Sequence, residues 1–138
     1  MRASAKPTRR VRWLLVAAWA LVIFALSSVP GSTIASAVSR YPMLGVPSLL
    51  FHIVEYAVLA GLLVLATDWR PPTVALALAL LLACSLYGIG DVLYRRFVPG
   101  RHGEPIDWVA DTAGAGVAIA TISVVRRRRA QTDVIGAR

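Results

Sequence analysis

At 138 residues the chain has the length of one small domain, yet 57% of it is hydrophobic and only 16% is charged. A soluble domain fills about a quarter of its positions with charge, and a chain this short buries too small a share of its surface to hide so much apolar side chain within itself. The formal charge of +8 would suit a nucleic-acid binder, but nine of the 15 basic residues lie in residues 2–12 and 126–129, flanking the apolar bulk, so nucleic acid is excluded as the partner and the charge reads as the basic ends of a membrane protein.

The first apolar run, residues 13–29, carries no charge and stops at Pro30-Gly31. Arg9-Arg10 before it and Ala35-Ser36-Ala37 after it resemble signal-peptide features. The distance from Leu26 to Ala37 is too long for a cleavage region, however, and the run is too long for a signal, so it is read as a retained span. The second run, 49–67, follows Pro42 and Pro47 and holds His52 and Glu55 near its start. Pro71-Pro72 precedes the third, 73–90, which is uncharged and rich in Ala and Leu. Pro99-Gly100 and Pro105 separate it from the fourth, 108–125, whose one charge is Asp111. Each run is close to the roughly 17 to 25 residues that carry a helix across the hydrocarbon core. Unpaired backbone is not tolerated in lipid, so the runs are helices and not strands.

The expected architecture is an all-α membrane protein, a four-transmembrane-helix bundle over 13–125 with a basic N-terminus (1–12) and a basic tail (126–138). Four spans put 1–12, 68–72 and 126–138 on one side with eleven basic residues, and 30–48 and 91–107 on the other with four. The excess of Lys and Arg marks the cytoplasmic side, so both termini are expected in the cytoplasm, in a multi-pass cell-membrane protein.

This topology gathers the unusual residues at the outer ends of the spans. His52, Glu55 and Tyr56 share one face near the start of the second helix, and Asp107 and Asp111 lie one turn apart at the start of the fourth. Asp91 ends the third helix, and Ser27 and Ser28 close the first at the same level. Ionisable groups inside a span are costly and by default functional. Asp107 has an alternative role as a helix cap, and His52 one as an interfacial residue bonded to a carbonyl. Glu55 and Asp111 lie deeper and need partners. A shared histidine–carboxylate–arginine cluster, with Arg101 supplying the positive charge from the loop, accounts for them together. Ala110, Gly114 and Ala118 form a small-residue stripe suited to close helix packing. Trp13, Trp69 and Trp108 mark helix ends as interfacial aromatics do. The lone Cys84 supplies no disulfide, no motif calls for a cofactor, and the spacing of His52 and the carboxylates matches no standard metal site. Arginine outnumbers lysine 14 to 1, the usage of a GC-rich bacterial genome.

These residues fall in a recognisable order: Ser27-Ser28-x-Pro30-Gly31, His52-x-x-Glu55-Tyr56, Asp91, Phe97-Val98-Pro99-Gly100-Arg101, and Asp107-x-x-x-Asp111-x-x-Gly114. From about Trp19 to Val117 the chain resembles the VanZ-like membrane proteins, and the Phe-Val-Pro-Gly-Arg phrase with the paired aspartates behind it is the most specific element. The resemblance implies a small helical membrane protein and marks His52, Glu55, Asp91, Arg101, Asp107 and Asp111 as the functional set. It carries no settled reaction. The family is named after a member associated with resistance to teicoplanin. Two stretches depart from the family pattern. Ser48 and Leu49 stand where an Asp-Lys pair is common, and Val92, Tyr94 and Arg95 stand where Glu, often His, and Gln are common.

Three functions are compatible with these residues. The departures favour a protein that binds or shields the headgroups of envelope lipids or lipid-linked cell-envelope precursors at the outer face, linked to glycopeptide (teicoplanin-type) resistance. The alternatives are a membrane-embedded enzyme, with His52 as acid or base oriented by Glu55 or Asp111 and Arg101 gripping a phosphate, and an accessory subunit with membrane-protein partners. A transporter is disfavoured, because no polar residue sits mid-span and no inverted repeat is visible.

Overall fold

A computed structural model describes residues 8–41, 48–67 and 73–136, with side chains placed to 132. The regular structure among them is helical throughout: α1 (Arg9–Ser27), α2 (Gly31–Arg40), α3 (Ser48–Ala66), α4 (Val74–Arg95) and α5 (Pro105–Gly136). Four of these, α1, α3, α4 and α5, are long and apolar enough to cross a membrane. The architecture is the expected all-α four-span bundle, with several helix ends displaced from the apolar runs.

Each displacement has a local cause. Helix α1 starts at Arg9 because arginine is a good helix former and prolongs the apolar segment backwards. Thr73 opens α4, its hydroxyl accepting the Leu76 N–H at 3.3 Å. That helix does not stop at Gly90 but runs one further turn and more to Arg95. Pro105 takes the first helical position of α5, where its missing N–H and fixed φ do no harm. The same helix continues for 32 residues, straight through the arginines at 126–129. Residues 30–48, read from the sequence as loop, contain α2, which follows Pro30 and leaves none of its residues buried. Pro42, Pro47, Trp69 and Pro71-Pro72 lie outside the described residues.

The bundle is built around α3, which packs most extensively on α5 and also on α1, while α4 packs on α5. Gly114 permits the α3–α5 approach: a Cβ there would overlap the Ile53 carbonyl. Ala110 is buried in the same stripe, which therefore serves packing within the bundle. Trp19 of α1 donates its indole N–H to the Glu55 carbonyl at 2.9 Å, and the Tyr87 hydroxyl of α4 donates to the Ala20 carbonyl at 2.6 Å. Ile23, Tyr56, Val64, Cys84 and Ala115 are fully buried between the helices.

The outside of the bundle inverts the soluble pattern. Leu78, Leu82 and Leu86, every fourth residue of α4, are exposed, whereas Ser27, His52, Glu55, Asp91, Arg95, Asp107 and Asp111 are buried. Apolar stripes facing outward suit lipid as the surrounding medium. The buried polar residues all lie at one end, called here the polar end. The opposite, basic end carries the start of α1, where Arg12 donates to the Leu65 carbonyl at 3.0 Å.

Candidate functional site

Three helices supply the cluster through ordinary helical periodicity. On α3, His52, Glu55 and Tyr56 turn inward while Phe51, Ile53 and Val54 face out. On α4, Gly88, Asp91, Val92 and Arg95 form the buried face. On α5, Asp107, Ala110 and Asp111 face the other two helices. Asp107 therefore sits inside the first turn with its side chain aimed into the bundle and is not the residue that caps it.

The centre of the site is an arginine. Arg95 donates from Nη1 to His52 Nε2 at 2.8 Å, from Nη2 to Asp91 Oδ2 at 2.7 Å and from Nε to Ser27 Oγ at 3.2 Å. Its Nη1 also lies 3.6 Å from Asp107 Oδ2. On the other side of the imidazole, Nδ1 is 2.8 Å from Asp111 Oδ1. A guanidinium has donors only, so Nε2 of His52 accepts, and Nδ1 carries the proton it donates to Asp111. Both ring nitrogens are thus committed. Burying a charge this deeply is tolerable only when it is paired and its hydrogen bonds are filled, and Arg95 meets both conditions.

Glu55 joins the buried layer without bonding to its members. Its Oε1, the Tyr56 hydroxyl and Asp111 Oδ2 are buried and lack a hydrogen-bond partner among the described residues. Four carboxyl groups therefore share one guanidinium and one imidazole. No group of three or more His, Cys, Asp or Glu is arranged as metal ligands among the described residues.

Arg101 is not the cation of this cluster, as the sequence had suggested. Because α4 continues to Arg95, that residue falls one turn beyond Asp91, at i+4, and reaches the carboxylates first. Arg101 follows the tight turn at Gly100 (φ 71°), and its Nη2 donates to the Leu26 carbonyl at 3.0 Å. Burial, and after it the like charge of Arg95, holds Arg101 below the ordinary guanidinium value, while Asp91 and Asp107 pull the other way.

Above the cluster lies a cleft of roughly 590 Å³ between α2, the start of α3 and the 97–107 segment. Ile34, Val38, Leu49 and Ile106 form its apolar walls; Arg95, Arg101 and Asp107 line its polar part. Its rim is held where the Gly31 N–H donates to the Pro99 carbonyl at 3.1 Å. A Cβ at Gly31 would overlap the Gly100 carbonyl, which accounts for glycine after Pro30, and the left-handed φ of 71° accounts for glycine after Pro99.

Of the five residues that depart from the VanZ-like pattern, the three on α4 have structural work. Val92 is buried, and Arg95 holds the cluster together. The Tyr94 hydroxyl is 3.0 Å from Ser28 Oγ, and its ring lies 4.7 Å from that of Phe24, tying α4 to the end of α1. Arg95 was legible only as the i+4 partner of Asp91 on a helix longer than its apolar run. No family model, curated protein or solved structure matches the chain.

Proposed function

We propose that this chain is a VanZ-like cell-membrane protein of bacterial type whose polar end faces outward and whose cleft takes up the headgroups of envelope lipids or lipid-linked precursors without transforming them. The observation that carries this reading is the cleft itself, where apolar walls meet an arginine that has open donors. Surfaces of that mixed character suit amphiphiles. Orientation rests on the basic residues, eleven on the side of the termini against four on the other. The commitment of both His52 nitrogens supports binding over catalysis, since a general base needs a free lone pair facing its substrate.

The link to teicoplanin-type resistance follows from the VanZ resemblance and sets the test. Wild type, Arg101→Ala, His52→Ala and Glu55→Gln are expressed at equal membrane abundance and scored for teicoplanin susceptibility. Wild type is expected to lower susceptibility, and Arg101→Ala to restore that of the empty host. Identical protection by every variant would overturn the reading. The Asp111–His52 hydrogen bond favours an enzyme as the second reading, which requires Arg95 to leave Nε2. A chemically altered envelope lipid whose formation depends on His52 would replace binding with catalysis.

A further inference from the structure

We infer that the cleft is a site for an anionic phospholipid, the phosphate held by the guanidinium of Arg101 and the acyl chain laid along Ile34, Val38 and Leu49. The inference deepens the headgroup reading above and rests on it.

Two arginines line the cleft, and they differ in what the protein gives them. Arg95 has all three of its nitrogens engaged by Ser27, His52 and Asp91. Among the described residues Arg101 makes one bond, from Nη2 to the Leu26 carbonyl, and its buried Nε has no partner. Among the described residues no ion pair reaches Arg101, whereas Arg95 pairs with Asp91 and lies near Asp107. A guanidinium offers five donors in a planar fork that fits phosphate oxygens. The Arg101 fork is thus largely unfilled beside a second cation, and an anion satisfies the donors and separates the like charges. The carboxylates nearby do not serve that purpose. Asp107 is directed at Arg95 and His52, at 3.6 and 3.7 Å, and Glu104 is exposed.

The walls decide between a free phosphate and a lipid. Ile34 and Val38 are half-buried on a helix with no buried residue, and Leu49 and Ile106 are exposed beside them. A soluble anion would leave these four side chains uncovered, whereas an acyl chain covers them.

The test is native mass spectrometry of the full chain released from phosphatidylcholine nanodiscs containing phosphatidic acid. Wild type is expected to retain phosphatidic acid in preference to phosphatidylcholine. Retention should fall about tenfold or more in Arg101→Ala and in the bulkier Arg101→Gln, the loss expected for charge-assisted hydrogen bonds. Arg127→Ala/Arg128→Ala, which thins the basic tail, should retain the lipid as wild type does, and inorganic phosphate at equal concentration should not displace it. Equal retention by wild type and both Arg101 variants overturns the inference, as does loss in the tail variant alone. Displacement by inorganic phosphate makes this a soluble-anion site and overturns the lipid assignment. Retention as expected with teicoplanin susceptibility unmoved by Arg101→Ala leaves this inference standing and removes the resistance reading. The reverse pair of results removes this inference and keeps the other.

Discussion

Arg95 and His52 meet most closely at Nη1 and Nε2, 2.8 Å apart, with Nη2 also 3.5 Å from Nδ1, and the shorter contact fixes the chemistry of both. Because the guanidinium cannot accept, the imidazole presents its Nε2 lone pair to arginine and its Nδ1 proton to Asp111. His52 is therefore a bridge between a cation and an anion, set on three different helices. The contact also joins the two chain segments on which the sequence gives opposite hints, the matching His-x-x-Glu-Tyr phrase and the departing stretch that ends in Arg95.

Removing Arg95 should unfold this end of the bundle more than removing any one of its acceptors. Arg95→Ala leaves the Asp91 and Asp107 carboxylates buried without their cation, and breaking a buried pair from one side costs about 3–5 kcal/mol. Thermal unfolding in detergent should show a large drop in Tm. A stability within about 0.5 kcal/mol of wild type, the range of ordinary surface substitutions, would contradict the role given to Arg95.

Asp111 is fully buried, and its partner is a ring N–H. Asp111→Asn keeps a carbonyl oxygen to accept that proton, whereas Asp111→Ala leaves the proton unmet at a cost of about 1–3 kcal/mol. Asparagine is therefore expected to be the milder substitution in the same unfolding assay. The opposite ranking would mean that the negative charge matters more than the hydrogen bond.

Gly114 and Gly116 lie two residues apart on α5 and make a matched pair. A Cβ at Gly114 overlaps the Ile53 backbone, but one at Gly116 comes no closer than 3.8 Å to Leu81. Gly114→Ala should push α3 from α5 and destabilise by about 1–3 kcal/mol, as overpacking does. Gly116→Ala should be neutral or slightly stabilising, because alanine is the better helix former. Equal effects of the two would show that the α3–α5 distance is not set at Gly114.

Orientation can be measured with single cysteines in a Cys84→Ser background. His102 and Gln131 are both exposed, near the polar end and on the basic extension of α5. His102→Cys should react with a membrane-impermeant maleimide on intact cells, and Gln131→Cys only after permeabilisation. The inverse pattern would place the cleft in the cytoplasm and remove the envelope-facing reading.

The spans, their number and most of the cluster were legible because hydropathy and helical spacing are local properties. His52, Glu55, Asp91, Asp107 and Asp111 each lie on the buried face that their spacing implied. Arg95 was not, since a charge after an apolar run reads as the start of a loop. Its place depends on α4 continuing past Gly90, a gain in pairing that only the neighbouring helices supply. Helix α2 escaped for a different reason: a ten-residue stretch opened by Pro30-Gly31 and rich in serine reads as loop, although Ile34 and Val38 recur at helical spacing. Arg101 was assigned to the cluster by its charge and by the Phe97–Arg101 phrase, and the turn at Gly100 turns it toward Leu26.

The backbone bond from Gly31 to Pro99, made where Gly31 leaves no room for a Cβ, has a thermodynamic consequence for whatever enters beneath it. A rim held by main chain is already in its final shape before association. Molecules entering it do not have to order a loop first, a step that otherwise subtracts about 0.5–1.5 kcal/mol for each side chain immobilised. Discrimination then falls on fit rather than adaptation: a headgroup too wide for the arch is rejected outright, and one that fits keeps most of its gross interaction energy as affinity.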